Sequence, residues 1–475
     1  MNHVFAARRA RRLGPAGYCR ALLLLLLAGG GPAAHAQTVR PPTDYPTGPF
    51  PTDVALGDLN GDGRLDLVTA TGIGSAVSVL LRTGTGGFAP PSAYATGAGP
   101  RRVALGDVDG DGRLDLVTVN AEANTASVLR NAGAGTFGPR TDYATGDRPL
   151  GVALGDVNGD GRLDLVTTNS IGRSVLVRLG TGAGAFGPPT AHATGGGPGA
   201  AALGDVDGDG RLDVATVNFL DNTASVLLGT GTGTFGAPTD YATGGSPLVL
   251  ALGDLNGDGR PDLITANVSS STVSVLLNTG AGAFGRRTNY PTGKTPTGVA
   301  LGDVNGDGRL DVVTSNGDEN TVSVLLGTGA GTFGPKADFP TGATPYGVAL
   351  GDVNGDGRPD FVTANYGSGS VSVLLNAGPS LGARTGLAAA GGALYPNPAR
   401  AGFTVRLPTG APAVAGAPVQ VELLNALGQV VRRQVLAVPA AGAGLAVDAA
   451  DWPAGAYTLR LRVGATAWTQ PVVLL

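Results

Sequence analysis

Hydrophobic and polar residues alternate in short runs over most of the chain, and turn residues separate these runs. In Gly298 to Asp303 (GVALGD), large Val and Leu alternate with small Ala and Gly, which is the period of two residues expected of a β-strand. Arg309 to Thr314, Thr321 to Leu326 and Ala337 to Thr341 form three further strand-like segments. The pattern predicts four short strands, a to d, and shows no helical period.

This four-strand unit recurs along the chain. The motif Gly-Asp-x-[Asn/Asp]-Gly-Asp-Gly-Arg-x-Asp occurs seven times, always 49 residues apart. Four strands in a unit of roughly 40 to 50 residues are typical of β-propeller blades. A solenoid of stacked repeats is the alternative, but it would need atypical capping repeats. The prediction is an all-β chain: a seven-bladed β-propeller with 49-residue blades, followed by a small β-sandwich domain.

The two ends of the repeat array predict how the ring closes. The d segment first appears at Thr43 to Thr47, before the first acidic motif, and the Phe that precedes it in six units has Gly382 in its seventh slot. The array therefore begins with a strand d and ends with a strand c. We expect Thr43 to Thr47 to be the outer strand of the blade formed by residues 347–376, with Tyr45 near Val371 to Leu375. This pairing leaves no open sheet edge.

The repeated acidic motif carries the donors of a cation site. Positions 1, 3, 5 and 9 have side-chain oxygens, position 6 is Gly, and position 7 is an Arg that offers its backbone carbonyl. Calcium takes six to eight oxygen ligands, whereas magnesium tends to keep several waters. The sequence predicts up to seven Ca²⁺, one in each blade. The predicted ligands are Asp58, Asn60, Asp62, Arg64, Asp66, Asp107, Asp109, Asp111, Arg113, Asp115, Asp156, Asn158, Asp160, Arg162, Asp164, Asp205, Asp207, Asp209, Arg211, Asp213, Asp254, Asn256, Asp258, Arg260, Asp262, Asp303, Asn305, Asp307, Arg309, Asp311, Asp352, Asn354, Asp356, Arg358 and Asp360.

Two other interpretations of the acidic motif are an EF-hand and a metal-free turn. An EF-hand needs Glu at position 12, but the first loop has Thr69 there, and strand-like residues follow. Turns rich in Asp, Asn and Gly form without metal, but they need only one or two such residues. Five loops with three Asp and two with four hold 23 of the 36 acidic residues. Carboxylates so close together repel each other in the absence of a cation.

The acidic loops and the segments around them (VALGD, LDLVT, SVLL and TFGxP) resemble the FG-GAP/VCBS repeat family, which includes the propeller of integrin α subunits. The resemblance covers residues 41–378. It implies a seven-bladed propeller with calcium in the hairpin between strands a and b, held in the second loop by Asp107, Asp109, Asp111 and Asp115. Integrin-type propellers keep the acidic loop in only some blades, and all seven blades have it here, so the integrin partners do not carry over.

The two ends of the predicted propeller differ in how much the units vary. Strand direction alternates within a blade, so the a–b and c–d turns share one end, and the b–c and d–a turns share the other. The first end is nearly invariant between units. Variable loops on a rigid scaffold often carry binding, although near-identical repeats also drift wherever packing is indifferent. The candidates at the variable end are Phe50, Asp53, Arg101, Arg102, Asp147, Arg148, Phe219, Lys294, Tyr346 and Tyr366. Of these, we expect Phe219, Tyr346 and Tyr366 to be exposed and to suit stacking on a sugar or on an apolar patch of a partner.

Residues 1–36 have the pattern of a secretory signal peptide. Five Arg precede the apolar run Ala21 to Ala28, and Ala34-His35-Ala36 supplies a cleavage motif. The apolar run is far shorter than the ~20 residues of a membrane-spanning helix, which is the alternative. Cleavage takes the formal charge from −4 to −9, because the segment has five Arg and no acid. An acidic protein of this kind is a poor partner for nucleic acid or anionic membranes, and we expect a mature monomer without a membrane span.

The composition leaves little for catalysis. The only Cys lies before residue 37, and of three His only His192 follows it, in a column held elsewhere by Tyr or Phe, so a Ser/His or Cys/His set is missing. We expect a secreted, non-catalytic adhesion or ligand-binding module for a glycan or a cell-surface protein. The alternative is an extracellular polysaccharide-degrading hydrolase or lyase with paired carboxylates.

The chain after the propeller divides into a linker and a small domain. Residues 379–392 are rich in Gly and Ala and lack periodicity, as in a flexible linker. Alternating segments in residues 393–475 predict a β-sandwich. Leu394-Tyr-Pro-Asn-Pro398, Leu427-Gly-Gln429 and Gly455-Ala-Tyr457-Thr-Leu459 resemble the type A C-terminal sorting domain of type IX secretion substrates. The resemblance implies export to the medium or the cell surface by that machinery; a generic immunoglobulin-like carbohydrate module is the other interpretation.

Overall fold

The computed structural model describes residues 37–84 and 86–379. In the C-terminal part it describes residues 393–395, 402–406, 418–424, 430–437, 445–449, 455–463 and 466–474. The predicted signal peptide and residues 380–392 of the predicted linker lie outside the described residues. Every regular element in the described part is a β-strand, as the alternating pattern predicts.

Seven four-stranded antiparallel sheets make up the described residues between 43 and 374. Each strand a contacts the strands a of the two neighbouring sheets, and the seventh contacts the first. The sheets are therefore the blades of a closed propeller with strands a at its centre and strands d outside. Numbered 1 to 7 from Pro51, the blades follow the order of the acidic motifs.

The four strands recur at equivalent positions. Strands a are Pro51–Gly57, Pro100–Gly106, Pro149–Gly155, Pro198–Gly204, Pro247–Gly253, Pro296–Gly302 and Pro345–Gly351; strands b are Asp66–Thr71, Asp115–Asn120, Asp164–Asn169, Asp213–Asn218, Asp262–Asn267, Asp311–Asn316 and Asp360–Asn365. Strands c are Ala76–Leu80, Thr125–Leu129, Ser174–Gly182, Thr223–Leu227, Thr272–Leu276, Thr321–Leu325 and Ser370–Leu374; strands d are Ser92–Ala95, Thr141–Ala144, Ala185–Ala193, Thr239–Ala242, Thr288–Pro291, Ala337–Pro340 and, for blade 7, Thr43–Pro46.

The hydrophobic core of the propeller is a series of layers between neighbouring blades. The layer between blades 1 and 2 combines Val68 and Val77 of one blade with Leu116 and Phe137 of the next. Small residues in strand a allow this close approach: a Cβ added to Gly57 would lie 2.7 Å from Leu114 Cδ1. Strand b is buried at every position in all seven blades, because a neighbouring sheet covers each of its faces.

An aromatic pair links each of six successive blade boundaries. The aromatic residue of strand d packs edge-on against the Phe of the next blade's c–d turn, with ring centroids 5.1 to 5.4 Å apart. His192 takes the place of Tyr in one pair and packs on Phe235. The aromatic columns read from the sequence are therefore contacts between blades, of the edge-to-face kind that aromatic pairs prefer.

An N-terminal segment closes the ring. Thr43–Pro46 pairs antiparallel with Ser370–Leu374, with Tyr45 opposite Val371, which confirms the predicted closure. Tyr45 also packs on Phe88 of blade 1 with ring centroids 5.1 Å apart. The outer strand of blade 7 thus comes from the beginning of the propeller sequence, and the ring has no free edge at this position.

The assignment of the seventh Phe slot to Gly382 was wrong. Gln37–Val39 pairs with Asn376–Pro379, and Val39 lies opposite Asn376, in the register that Phe137 has with Asn131. Val39 also packs in the cluster that contains Phe339. A smaller apolar residue fills the slot, and it lies six residues before Tyr45, as Phe88 lies before Tyr94. We call residues 37–46 the N-terminal clasp.

The described C-terminal strands form two sheets. One has the order Ala393–Tyr395, Gly402–Arg406, Leu445–Asp448, and the other has the order Val430–Ala437, Pro418–Leu424, Gly455–Val463, Thr466–Leu474. Buried side chains of both sheets, such as Phe403 and Val405 from the first and Val421 and Leu459 from the second, belong to one hydrophobic cluster. Two sheets with a shared core are the predicted sandwich.

An ion triad centred on a buried glutamate lies within the larger C-terminal sheet. The side chain of Glu422 is 1% exposed; its Oε2 accepts a 2.6 Å bond from Arg460 Nε, and its Oε1 accepts a 2.9 Å bond from Arg433 Nε. Burial alone raises the pKa of Glu422, but the hydrogen bonds from the two Arg and their charges outweigh it, and the pKa lies below its usual value. The stabilisation is therefore present above the unfolded pKa of about 4.5 and is lost as the pH falls through the folded value.

We expect Glu422→Gln to destabilise this sandwich by about 3 kcal/mol at neutral pH, because it leaves two arginines without their counter-charge. The measurement is denaturant unfolding of the full chain followed by tryptophan fluorescence, since the two Trp, Trp452 and Trp468, both lie in this part of the sequence. The wild type should lose stability towards acid while the variant shows no such step. Glu319→Gln on an exposed propeller loop is the control, and an unchanged midpoint for E422Q would contradict the expectation.

Candidate functional site

Each acidic loop connects strand a to strand b at one end of the propeller and lies beside the next blade's c–d turn. The N–H of Gly135 in blade 2 donates to the carbonyl of Leu59 in blade 1 at 3.1 Å, and Gly184 makes the same bond to Val108 at 3.2 Å. At the other end, the N–H of Gly72 in a b–c turn donates to the carbonyl of Phe50 in a d–a turn at 2.9 Å. The predicted division of the turns between the two ends is correct.

Position 1 of each loop holds the turn through its carboxylate. In blade 1, Asp58 Oδ1 accepts the N–H of Gly61 at 2.8 Å and of Asp62 at 3.1 Å, and Oδ2 accepts the N–H of Gly63 at 2.7 Å. The same three bonds recur in all seven loops. Burial raises the pKa of Asp58, but these N–H groups outweigh it, and the pKa lies below its usual value. A carboxylate with about four lone-pair sites retains one for another ligand.

Positions 5 and 7 form a pair that the sequence reasoning missed. Asp62 Oδ1 accepts the backbone N–H of Arg64 at 3.0 Å, and Asp62 Oδ2 accepts its guanidinium at 2.5 Å. An ion pair between these two positions occurs in every loop. The position-7 residue therefore does more than offer a carbonyl, because its side chain partly neutralises the most exposed carboxylate.

Position 9 is buried and links three segments of a blade. Asp66 Oδ2 accepts the N–H of Leu59 at 3.0 Å, and Oδ1 accepts the N–H of Arg82 in the c–d turn at 2.7 Å. Burial raises the pKa of the position-9 carboxyls and outweighs the hydrogen bonds, which lower it. The pKa reaches about 6 for Asp311 and about 6 for Asp360. Neighbouring carboxylates of the same loops raise it further.

Carboxylate oxygens converge most closely in two loops. In blade 2, oxygens of Asp107, Asp109 and Asp115 lie within 4.8 Å of one another. In blade 4 the close set is Asp205, Asp207 and Asp209, at positions 1, 3 and 5 instead of 1, 3 and 9. These are the two loops with Asp at position 3. The other five loops have Asn at this position, and within the described residues no three carboxylates of those loops come this close together.

The donors of the loops fit a hard divalent cation. Oδ1 of Asp109 is buried and has no hydrogen-bond partner among the described residues, and buried polar atoms of this kind usually have one. Oxygen donors crowded on one turn are the ligands that calcium takes. The side chains at positions 1, 3, 5 and 9 and the carbonyl of position 7 would hold the ion, which would supply the positive charge that the carboxylates lack.

The opposite end of the propeller has a funnel at its centre. The residue after the first Pro of each strand a forms a ring there: Thr52, Arg101, Leu150, Gly199, Leu248, Thr297 and Tyr346. Most of this ring lines a cavity of about 170 Å³. A groove of about 470 Å³ that includes Glu122, Asp147 and Ile171 shares Arg101 and Arg148 with it. The repeat units, which are nearly identical at the end with the acidic loops, therefore carry different side chains at this end.

The aromatic candidates at this end are arranged differently from the sequence expectation. Tyr346 and Tyr366 were expected to be exposed, but both are half-buried. The Tyr366 ring packs on Phe50 with centroids 5.0 Å apart and on Tyr346 at 5.7 Å. Phe219 is 39% exposed and stands apart from this cluster.

Comparison with protein families identifies the repeat. The model of the FG-GAP-like repeat matches six overlapping segments, residues 58–118, 107–167, 156–216, 205–265, 254–314 and 303–363. Together they span more than half of the chain. This chain is a member of the FG-GAP-like repeat family. The resemblance read from the acidic loops is therefore confirmed, and the FG-GAP repeats form the propeller described above.

A second family model covers the C-terminal part of this FG-GAP protein. The model of the secretion system C-terminal sorting domain matches residues 393–474, in agreement with the resemblance to type IX secretion substrates. The protein is therefore exported, either secreted or attached to the cell surface, and its sorting domain interacts with the secretion machinery. In the part of the chain that the structure describes, no helix has the length and apolar character needed to cross a membrane.

Two solved structures with TM-scores of 0.51 and 0.50 support the same fold. BBS1N, from its complex with ARL6DN, is 13% identical, covers 73% of this chain and 100% of its own, and has a TM-score of 0.51. A Bacteroides fragilis protein provisionally named a 6-phosphogluconolactonase is 14% identical, covers 62% and 86%, and has a TM-score of 0.50. An Agrocybe aegerita lectin is 23% identical, covers 60% and 80%, and has a TM-score of 0.44. No curated protein sequence matches the chain.

Proposed function

We propose that this exported propeller is a non-catalytic binding module for a glycan or a cell-surface protein, and that its acidic loops hold calcium. The observation that carries the calcium part is the recurrence, in all seven blades, of one loop with oxygen donors at positions 1, 3, 5 and 9. In blade 2 three carboxylates converge, and one of their buried oxygens has no hydrogen-bond partner among the described residues. Calcium at this end stabilises the turns that the Asp58-type carboxylates hold together.

Non-catalytic binding is supported by the tasks that the titratable residues already perform. His192 packs on Phe235 in a contact between blades, at a position where the other blades use Tyr or Phe. The loop carboxylates bind backbone N–H groups and arginines. Asp53 is buried and paired with Arg102 at 2.9 Å. A general acid or base needs a carboxyl or imidazole that is free to meet a substrate, and these groups are committed to the fold.

The test is a binding screen of the full-length secreted protein, in calcium, against an array of glycans and against cell-surface proteins. We expect retention on one ligand class without any change in the ligand. The same samples are assayed for new reducing ends and for unsaturated sugars, the products of a hydrolase and a lyase. Release of either product would contradict the non-catalytic module and support the enzyme alternative. Retention on no ligand would contradict the binding proposal.

A further inference from the structure

We propose that the central funnel and its adjoining groove bind an acidic saccharide, that is, a sugar chain bearing carboxylate or sulfate groups. We call this the funnel site and define it by Arg101, Arg148, Tyr346 and the carboxylates Glu122 and Asp147. The inference rests on the proposed binding function and adds the place of binding and the chemistry of the ligand. It concerns the end of the propeller opposite the acidic loops.

The funnel site has the space for a short stretch of polymer. The funnel cavity of about 170 Å³ and the groove of about 470 Å³ are contiguous through Arg101 and Arg148, which line both. Binding cavities for small ligands usually fall between about 300 and 1,000 Å³. Together the two spaces reach this range, so a ligand can continue from the funnel into the groove.

Two arginines of the site form no ion pair within the described residues. Arg102 forms an ion pair with Asp53 at 2.9 Å, but neither Arg101 nor Arg148 has an acidic group within ion-pair distance among the described residues. Nε of Arg101 is buried and has no hydrogen-bond partner there either. The guanidinium group binds carboxylate or sulfate oxygens through parallel N–H bonds, so these two side chains are available to an anionic ligand.

Arg148 occupies a backbone position that suits glycine. It has φ 55°, in the left-handed region, and the equivalent residues Gly99 and Gly197 have φ 69° and 68°. The other four residues of this column also have a positive φ, between 50° and 56°: Phe50, Ser246, Thr295 and Thr344. Asn124 holds the turn by accepting the N–H of Arg148 through Oδ1 at 2.8 Å. The positive φ belongs to the turn in every blade, and what distinguishes Arg148 is that its charged side chain lines both cavities.

An aromatic cluster and two carboxylates complete the site. Tyr346 lines the funnel and is supported from behind by Tyr366 and Phe50, which fixes its ring as a stacking surface. Glu122 and Asp147 line the groove beside the arginines. Arginines, carboxylates and an aromatic ring together match a ligand that carries both an anionic group and several hydroxyl donors.

These features favour an acidic sugar over an acidic peptide. A uronate or a sulfated sugar presents an anion to Arg101 or Arg148 and donates hydroxyl hydrogens to Glu122 and Asp147. A run of acidic residues presents carboxylates alone, and the two groove carboxylates repel them. Carboxylated and sulfated sugars share the chemistry that the site recognises, and the experiment below separates them.

The test uses the full-length protein in calcium, with polygalacturonate, a sulfated galactan, neutral dextran and poly-glutamate as probes. The variant Arg101→Leu/Arg148→Gly installs residues that other blades already have at these positions, Leu150 and Leu248 in one column and Gly99 and Gly197 in the other, so folding should be preserved. The control Arg173→Ser removes the same charge at the same end outside both cavities, and Ser75 and Ser271 occupy its column.

We expect wild type and R173S to bind one or both acidic polysaccharides, and the double variant to bind them at least tenfold more weakly by calorimetry. Preference for polygalacturonate or for the sulfated galactan identifies the anionic group. Unchanged binding by a double variant that melts like the wild type would overturn the funnel site but leave the binding module intact. Binding of poly-glutamate as tight as that of the polysaccharides would overturn the saccharide assignment, and retention of neutral glycans alone would overturn the acidic ligand.

Discussion

Chelation of calcium should lower the melting temperature of the full-length protein by about 20 °C. Extracellular calcium modules commonly have dissociation constants of about 10⁻⁴ to 10⁻³ M. In about 10 mM calcium, each site then adds about 1.5 to 2.7 kcal/mol to the free energy of unfolding. Seven such loops amount to about 10 kcal/mol or more, and a domain of this size gains about 2 °C per kcal/mol. The measurement is scanning calorimetry in calcium and in chelator.

Magnesium is the control for this first result. It prefers octahedral geometry and keeps several waters, so it should restore only a small part of the melting temperature that calcium restores. A calorimetric titration of the chelated protein should give heat from more than one site. If there is neither heat nor a shift in melting temperature, the loops are turns held by their own hydrogen bonds, and the calcium proposal fails.

A pair of opposite substitutions assigns the effect to the loops. Asp109→Asn gives blade 2 the donor set of most other blades, and Asn60→Asp gives blade 1 the set of blades 2 and 4. Each changes one formal charge at position 3 with little change in shape. We expect the loops of blades 2 and 4 to bind calcium most tightly, because the number of carboxylates tunes calcium affinity. Asp109→Asn should therefore weaken the site of blade 2, and Asn60→Asp should strengthen the site of blade 1.

The uniform repeat explains why most of the fold could be predicted from the sequence. A 49-residue spacing without insertions makes every blade equivalent, so the strands of one unit locate those of all seven. The pairing of Tyr45 with Val371 followed from counting d and c segments at the two ends. Val39 was missed because the motif was read as Phe, whereas the slot requires only an apolar side chain at the right distance from Tyr45.

The candidate sites were less predictable because their contacts cross between segments. The motif gives the positions of the side-chain oxygens in the loops, but Arg64 was read only for its carbonyl. Its ion pair with Asp62 depends on side-chain rotamers that no spacing reveals. Similarly, the residues around the funnel were named as binding candidates of the variable end, but the sequence did not group them into one site. Their roles depend on the ring that brings Arg101, Arg148 and Tyr346 together from blades 2, 3 and 7.

The two ends of the propeller differ in a way that fits a binding module. The loops at one end follow one motif in all seven blades, and their position-1, position-5 and position-9 carboxylates bind backbone N–H groups and arginines. The funnel end departs from this equality at charged and aromatic positions, and it leaves Nε of Arg101 without a partner in the described part of the chain. Stability can therefore be maintained at one end while side chains at the other change to suit a ligand.

Deletion of the N-terminal clasp, residues 37–46, should lower the free energy of unfolding by about 5 to 10 kcal/mol. It removes Tyr45 from Phe88, at about 3 kcal/mol for a large side chain, and Val39 from the Phe339 cluster, at about 1.5 kcal/mol. It also removes the ladder with Ser370–Leu374, at about 1 kcal/mol per hydrogen bond. The measurements are chemical denaturation and amide hydrogen exchange of Val371 to Leu374. This segment becomes an unpaired edge strand in the deletion protein, so its amides should exchange faster.

Two comparisons separate ring closure from ordinary packing. Tyr94→Ala removes the same edge-on contact inside the ring and should cost less than Tyr45→Ala, since the strand that carries Tyr94 stays covalently continuous with the rest of its blade. A synthetic peptide of residues 37–47 added to the deletion protein should restore both stability and exchange protection, because only the covalent connection is missing. A deletion protein that melts like the full chain would show that the clasp is not what closes the ring. Equal losses of stability for Tyr45→Ala and Tyr94→Ala, together with no stabilisation by the peptide, would show the same.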